Sequence, residues 1–146
     1  MTSPAVCVPM PNIHWQAVQL ALSAAADKAQ QLQAAVNIAL VDASGVMVGF
    51  LRMNNAPLHS VDIALDKAYT AVSFGVPTGQ WTDVLKNHSP AVQAGLVSRS
   101  RFVAFGGGLP LVHQGYRIGG IGVSGGSEEQ DDTIAEAGAK AISSTY

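Results

Sequence analysis

Stretches in which apolar residues recur at helical spacing alternate along this sequence with short apolar runs bounded by glycine. No other feature limits the possible folds as strongly, because the two periods specify helices and strands that must share one core. Asn12 is the predicted N-cap of the first helix, and Ser127 with Gln130 forms a capping box ahead of the last helix. The predicted helices are residues 13–32, residues 61–75, a short helix with Thr78 as its N-cap, and a final helix that ends near Ser143.

The apolar runs between these helices are typical of β-hairpins. Asp42 and Gly45 supply turn chemistry between the first two runs, and further glycines divide the later ones. The predicted strands are residues 36–41, 46–52, 102–105, 109–113 and 116–124. Hairpins dominate and no strand–helix–strand crossover recurs. The sequence therefore predicts an α+β domain, an antiparallel sheet of about five strands with helices packed on it.

The small share of charged residues predicts a homo-oligomer. Only 12% of the 146 residues are charged and 48% are hydrophobic, so a single subunit has little polar surface to offer to water. On the first helix, Val18, Leu22 and Ala25 widen the apolar arc beyond what one sheet face needs. Packing against a second copy of the chain would bury this excess.

Charge and hydropathy exclude two classes of partner. Eight Lys and Arg residues against ten Asp and Glu residues give a net charge of −2, which provides no basic field for nucleic acid. Apolar stretches are interrupted well before the roughly 20 residues that a membrane-spanning helix needs. The expected partners are a small molecule and further copies of the chain, with no nucleic acid and no membrane.

The length of the chain fits one domain with one core. We predict an N-terminal leader over residues 1–11 and a single domain over residues 12–146. The leader lacks the basic and apolar regions of a secretory signal, which predicts a cytoplasmic location. Cys7 is the one cysteine, so no disulfide within a chain is expected.

Residues 120–125 satisfy the spacing G-x-G-x-x-G between a predicted strand and a predicted helix. A dinucleotide-binding unit also needs a second parallel strand and an acidic residue about 20 positions on, and the sequence has neither. What remains is a glycine-rich turn at a helix N-terminus, where the amides of Gly125 and Gly126 would bind a carboxylate or phosphate. The alternative is that these glycines only permit close packing of the helix on the sheet.

Five segments, taken in order, resemble the GlcG/HbpS-like family, which includes the C-terminal domain of PduO-type proteins. They are residues 39–45 (ALVDASG), Arg52-Met53 with Ala56, residues 60–71 (SVDIALDKAYTA), residues 106–110 (GGGLP), and residues 119–126 (GGIGVSGG) followed by Gln130-Asp131. The resemblance implies a profilin-like α+β domain that assembles into a homo-oligomer. Family functions vary: some members bind haem, one is a redox-linked sensor accessory, and others accompany enzymes of small-molecule catabolism.

The sequence departs from the family pattern at one turn. Family members carry an Asp-Gly pair after Arg-Met, whereas this chain has Asn54 and Asn55. The difference removes a carboxylate close to Arg52. Any chemistry that depends on this charge is therefore not expected here.

His14 is the first candidate ligand. It is the predicted second residue of the first helix, where the helix dipole disfavours an imidazolium and leaves a neutral imidazole that can bind iron. Haem-binding relatives use a histidine near the start of this helix, so the resemblance implies that His14 is the haem-iron ligand. The alternative is a surface histidine.

His59, His88 and His113 lack the spacing of a zinc site, and His59, just before the second helix, is the best pocket residue among them.

Lys67 and Arg52 are candidate anion anchors. Lys67 lies one position off the apolar face of the second helix, so its ammonium is expected to be partly buried and to bind a carboxylate or act as a base. The alternative is a structural ammonium tied to backbone carbonyls or to Asp131. Arg52, at the end of a strand, can hold a carboxylate through two hydrogen bonds, and Asp62 or Asp66 is its simplest internal partner.

These observations support two functions of different classes. The first is a cytoplasmic homo-oligomer that binds a planar or anionic small molecule, with haem as the most concrete candidate. The second is a cofactor-independent enzyme for a small carboxylated or hydroxylated catabolite, in which Lys67 or His14 is the general base and Arg52 holds the carboxylate. The candidate ligand-binding residues are His14, Arg52, His59, Lys67, Gly125 and Gly126.

Overall fold

A computed structural model describes residues 2–143 and contains a four-stranded antiparallel sheet with the strand order β2-β1-β4-β3. The elements are α1 (Trp15–Gln31), β1 (Asn37–Asp42), β2 (Met47–Arg52), α2 (Ser60–Phe74), a 3-10 turn (Thr78–Gln80), α3 (Trp81–Leu85), α4 (Pro90–Val97), β3 (Gly108–His113), β4 (Tyr116–Ser124) and α5 (Glu128–Ser143). The α+β class is confirmed, whereas about five strands is one too many. Residues 144–146 of the predicted domain lie outside the described range.

The predicted strand over residues 102–105 is wrong. The backbone there is held by Thr70 of α2, whose hydroxyl donates to the Arg101 carbonyl at 2.8 Å and accepts from the Val103 amide at 3.1 Å. The Thr70 side chain thus forms the hydrogen bonds that a neighbouring strand would form with these backbone groups in a sheet. Sheet pairing begins only at Gly108, which lies opposite Gly122 of β4.

The sheet lies between α2 on one face and α1 with α5 on the other. Gly120 of β4 faces α2, where an added Cβ would lie 3.3 Å from the Cβ of Val72. The alternating residues Ile121 and Val123 face the opposite side and are fully buried in a cluster with α1 and α5. Glycine on one face of β4 therefore allows the backbone of α2 to pack directly against the strand.

The first helix has a different N-cap from the predicted one. His14 is the N-cap, and its Nδ1 accepts a hydrogen bond from the Gln16 amide at 3.1 Å. Asn12 Oδ1 instead accepts from the Ala43 amide at 2.8 Å. Asn12 therefore joins the segment before α1 to the β1–β2 turn, and His14 caps the N-terminus of α1.

The core face of α1 also differs from the prediction. Its buried residues are Val18, Ala21, Ala25 and Ala29. Val18 and Ala25 therefore belong to the core and are not part of an excess apolar arc. Leu22 is half-buried against the same core. The apolar surface of α1 is therefore not, by itself, evidence that the chain forms a homo-oligomer.

The predicted signals at two helix ends are confirmed. α2 ends at Gly75, which adopts the left-handed conformation with φ +69°. At the start of α5, the Gln130 amide donates to Ser127 Oγ at 3.1 Å, and the Ser127 amide donates to Gln130 Oε1 at 3.0 Å. Both signals are local, so neighbouring residues are sufficient to form them.

The region between α2 and β3 holds more helix than expected. Thr78 is not an N-cap: the cap of the 3-10 turn is Pro77, and the Thr78 hydroxyl accepts from the Gly108 amide at 2.8 Å. The sequence did not predict α4, none of whose residues is buried. Among the described helices, none is long and apolar enough to cross a membrane.

Candidate ligand site

His14 lines an open cleft between the start of α1, the β3–β4 hairpin and the end of α5. The cleft has a volume of about 190 Å³, and most of its lining is apolar. A second imidazole, that of His113, lines the same space. The residues of this histidine cleft are Pro11, Asn12, His14, Ala17, Val112, His113, Ile118 and Ile142. Nitrogen ligands beside apolar walls suit a flat ligand that carries a transition metal.

One ring nitrogen of His14 is already hydrogen-bonded. Because Nδ1 accepts from the Gln16 amide, a neutral ring carries its proton on Nε2. The side chain is exposed, and its ring centroid lies 5.6 Å from that of Trp15. To bind a metal through Nε2, the ring would have to move its proton to Nδ1, and the Gln16 amide would lose its acceptor.

Sequence reasoning missed His113 as a neighbour of His14. The two residues are distant in sequence and line one cleft because the β3–β4 hairpin closes onto the start of α1, where the Ile13 amide donates to the Ile118 carbonyl at 3.1 Å. Within residues 2–143, no group of three or more His, Cys, Asp or Glu side chains could hold a metal ion. The histidine cleft therefore offers imidazole nitrogens but no closed structural metal site.

Lys67 lies in a buried ion pair, away from the histidine cleft. The side chain is 1% exposed, and its Nζ donates to the Val123 carbonyl at 2.8 Å and to Asp131 Oδ2 at 3.1 Å. The ring of Phe105 lies 5.0 Å from Nζ. Burial lowers the pKa of Lys67 and raises the pKa of Asp131, and the attraction between the two charges opposes both shifts. These contacts are those of the structural ammonium considered as the alternative for this residue.

Three successive glycines wrap around this ion pair. Gly107 has φ +121°, and an added Cβ there would lie 2.7 Å from the Nζ of Lys67, so only glycine fits. Each of the three amides donates to a side chain from another element. The hydrogen bonds are Gly106 to Glu128 Oε1 at 2.7 Å, Gly107 to Asp132 Oδ1 at 2.7 Å, and Gly108 to Thr78 Oγ1 at 2.8 Å.

Asp132 gives this loop a pH dependence that can be measured. Burial raises the pKa of Asp132; the Gly107 amide opposes this, and the carboxylates of Glu128 and Glu136 add to it. A carboxyl whose pKa is raised by folding stabilises the fold below its unfolded pKa, and this stability is lost as the pH rises through its folded pKa. We therefore expect Asp132→Asn, which keeps the acceptor for Gly107, to raise the Tm at pH 7 by about 1–2 °C.

The same substitution should have no effect at about pH 3, where the carboxyl of the unfolded chain is also protonated. Calorimetric melting of wild type and Asp132→Asn over this pH range measures the difference. A lower Tm for Asp132→Asn at pH 7 would mean that the attraction of Lys67 for the carboxylate exceeds the cost of burial.

Arg52 stabilises the turn that follows β2. Its Nη2 donates to the Ala56 carbonyl at 2.9 Å and so closes the segment that contains Asn54 and Asn55. Asn55 has φ +69°, a conformation that asparagine tolerates better than most residues. Asn55 therefore adopts a backbone conformation that glycine would adopt without strain.

The acidic residues expected beside Arg52 have other positions. Asp66 pairs with Arg101, whose Nε lies 3.0 Å from Asp66 Oδ1, and Asp62 is exposed in the first turn of α2. His59 is the exposed N-cap of α2, and its side chain makes no capping hydrogen bond. Arg52 and His59 therefore do not contribute to the histidine cleft.

The glycine turn before α5 makes its hydrogen bonds and close contacts with other residues of the chain. The Gly126 amide donates to Asp131 Oδ1 at 3.0 Å. Gly125 has φ +133°, and an added Cβ would lie 2.9 Å from the Ala35 carbonyl oxygen. These contacts join the turn to the ion pair of Lys67 and Asp131, and none of these residues lines the histidine cleft.

Residues 13–140 match the family described as haem degrading protein HbpS-like. Two corrinoid adenosyltransferases PduO are similar: that of Salmonella typhimurium is 43% identical over 82% of this chain, and that of Citrobacter freundii is 38% identical over 92%. The chain spans only 35% and 40% of the length of these two relatives. A 15.0 kDa protein from the dhaT-dhaS intergenic region of Citrobacter freundii is 39% identical over 75% of this chain and 77% of its own length.

Solved structures share the fold over nearly the whole chain. Klebsiella pneumoniae protein ORFY has a TM-score of 0.89 at 31% identity, covering 99% of this chain and 100% of its own. A complex of PduOC with haem has a TM-score of 0.82 at 37% identity, with 90% and 95% covered. A double mutant of Streptomyces reticuli HbpS has a TM-score of 0.82 at 28% identity, with 97% and 98% covered.

Proposed function

The chain belongs to the HbpS-like family, and we propose that it binds haem in the histidine cleft with His14 as the iron ligand. The observation that carries this proposal is the similarity to PduOC, which was solved as a complex with haem. The cleft supports the proposal because an exposed imidazole stands beside apolar walls.

The residues of the histidine cleft fit haem in their chemistry. Imidazole is a common ligand of haem iron, and the side chains of Val112, Ile118 and Ile142 provide apolar contact for a macrocycle. Bound haem supplies an iron centre for oxygen binding, oxygen activation or electron transfer, according to its surroundings. His14 would hold the iron through Nε2, and His113 would place a polar group on the wall of the same cleft.

A haemin titration followed by its Soret absorption tests this proposal. Wild type is expected to shift the band saturably, and His14→Asn to weaken binding by at least about tenfold because the iron loses its ligand. Asparagine is chosen because it is a favoured N-cap, so α1 keeps a side chain that can accept from the Gln16 amide.

His88→Ala is the matched control, since His88 is exposed and lies outside the histidine cleft; it should titrate like wild type. The absence of a Soret shift in wild type would contradict haem binding. An unchanged titration in His14→Asn would contradict the proposal that His14 is the iron ligand. Loss of binding in His113→Ala alone would indicate that His113 is the iron ligand instead.

We also propose that the histidine cleft is completed by a second copy of the chain. Its 190 Å³ is below the roughly 300–1,000 Å³ of sites that enclose a ligand. Trp15 and Val112, beside the cleft, are 63% and 55% exposed, and such residues favour an interface. Light scattering after size exclusion is expected to give a multiple of 15.1 kDa; a stable mass near 15.1 kDa at micromolar concentration would contradict this.

The alternative of a cofactor-independent enzyme is not favoured. Lys67 is held by Val123 and Asp131 in a buried ion pair, so its ammonium is not placed to act as a base on a substrate in the cleft. Arg52 and Lys67 also lie on different elements from His14. The cytoplasmic location and the likeness to profilin stay predictions.

A further inference from the structure

We propose that a second groove, between α2 and the segment that follows α4, binds a small aromatic carboxylate. The groove has a volume of about 290 Å³ and shares no residue with the histidine cleft. We call it the arginine groove; the lining residues that matter here are Tyr69, Phe74, Arg99, Arg101 and Phe102. The proposal is independent of haem binding.

The positive charge of the groove comes from two arginines. Arg101 donates through Nε to Asp66 at 3.0 Å, and its guanidinium carbon lies 3.7 Å from the ring centroid of Tyr69. No hydrogen bond of its Nη groups to a described residue is present. Arg99 is exposed and forms no ion pair among the described residues. Two guanidinium groups with unused donors suit a carboxylate.

The apolar part of the groove is aromatic. The rings of Phe74 and Phe102 meet edge to face with centroids 5.9 Å apart, and both contact Trp81 with centroids 4.9 Å apart. Phe74 nevertheless stays 47% exposed, so part of its ring surface is available to a ligand. An aromatic ring that packs on these side chains would place an attached carboxylate among the arginines.

Hydrogen bonds from α2 hold the loop that carries Arg101. Arg101 has φ +66°, an uncommon value for a residue with a side chain. The hydroxyl of Thr70, which is 1% exposed, fixes this conformation by bonding to Arg101 and Val103. Strain that is retained at a groove of this kind is typical of a preorganised site.

The size of the groove limits the ligand. Its volume of about 290 Å³ is close to the lower limit of the roughly 300–1,000 Å³ of small-molecule sites, which suits a ligand with one ring. The arginine groove offers guanidinium donors and the histidine cleft offers imidazole nitrogens, so the two would take different molecules.

Trp81 provides the readout for a test with benzoate as the probe. The chain has two tryptophans, and Trp15→Phe leaves Trp81, which contacts Phe74 and Phe102 of the groove, as the only one. In this background we expect benzoate to change the tryptophan emission saturably. Acetate lacks the ring and benzyl alcohol lacks the charge, so each should bind at least about tenfold more weakly.

Arg99→Met is expected to weaken benzoate binding about tenfold, whereas Lys86→Met, which removes an exposed cation outside the groove, should leave it unchanged. The proposal is overturned if benzoate causes no saturable change, if benzyl alcohol binds equally well, or if Arg99→Met has no effect. Failure of benzoate because a second copy covers the groove would also overturn it. Haemin binding by Arg99→Met and Lys86→Met made with Trp15 retained is expected to be unaltered, since neither residue lines the histidine cleft.

Discussion

Replacing Lys67 with methionine is expected to lower the free energy of unfolding by about 3–5 kcal/mol. Methionine fills similar volume but leaves the carboxylate of Asp131, 4% exposed, without its counter-charge and the Val123 carbonyl without a donor. Urea denaturation measures the change, and the Tm should fall by roughly 10 °C.

Lys86→Met is the matched control for this prediction. Lys86 and Asp83 form an ion pair at 3.0 Å, close to the 3.1 Å of the buried pair, but their side chains are 69% and 85% exposed. Because solvent screens such a pair, its loss should change stability by about 0.5 kcal/mol or less. Equal losses in Lys67→Met and Lys86→Met would contradict a special role for burial.

A double variant identifies the cause of the loss. Asp131→Asn removes the stranded charge and keeps an oxygen that can accept from the Gly126 amide. Combined with Lys67→Met, it should restore part of the lost stability, since the cost lies in an unpaired buried charge. A double variant that is as unstable as the sum of both single variants would point to packing instead.

The second large effect is expected at the contact between α2 and β4. A Cβ added at Gly122 would overlap the Ala64 carbonyl oxygen and lie 2.6 Å from the Ala68 nitrogen. Both are backbone atoms of α2, so the helix must move away from the sheet. We expect Gly122→Ala to cost about 3 kcal/mol or more, measured by urea denaturation.

Gly95→Ala is the control, because it makes the same chemical change in α4, where the added Cβ meets no atom within 4 Å beyond the adjacent residues and the helix's own backbone. Alanine favours a helix over glycine by about 0.5–1 kcal/mol, so this variant should be slightly more stable than wild type. If Gly122→Ala were neutral, the close backbone packing of α2 on β4 would be contradicted.

The parts of the fold that the sequence predicted are those coded by neighbouring residues. The capping box of Ser127 and Gln130 and the left-handed Gly75 need only a few adjacent positions, and both occur as expected. The hairpin of β1 and β2 likewise follows from two apolar runs around a short turn.

The errors arise where distant residues decide the structure. Residues 102–105 have the composition of a strand, yet Thr70, far away in sequence, satisfies their backbone. The predicted face of α1 is wrong because the helix is rich in alanine, so its apolar period is weak and Val18 fits either side.

The candidate site was predictable only in part, for the same reason. The position of His14 at a helix start was visible in the sequence, whereas its neighbour His113 depends on how a hairpin closes onto α1. The helical period predicts the burial of Lys67, with Asp131 as one possible partner, and the structure pairs the two. The pairing of Arg101 with Asp66 and Tyr69 had no signal in local sequence.

A crystal structure of the protein grown with haemin tests the central claim most directly. We expect the iron to be bound to His14 in the histidine cleft, with Nδ1 no longer accepting from the Gln16 amide, because the cap and the iron need opposite positions of the ring proton. Haem bound by any other residue, with the hydrogen bond from Gln16 to His14 intact, would contradict the account.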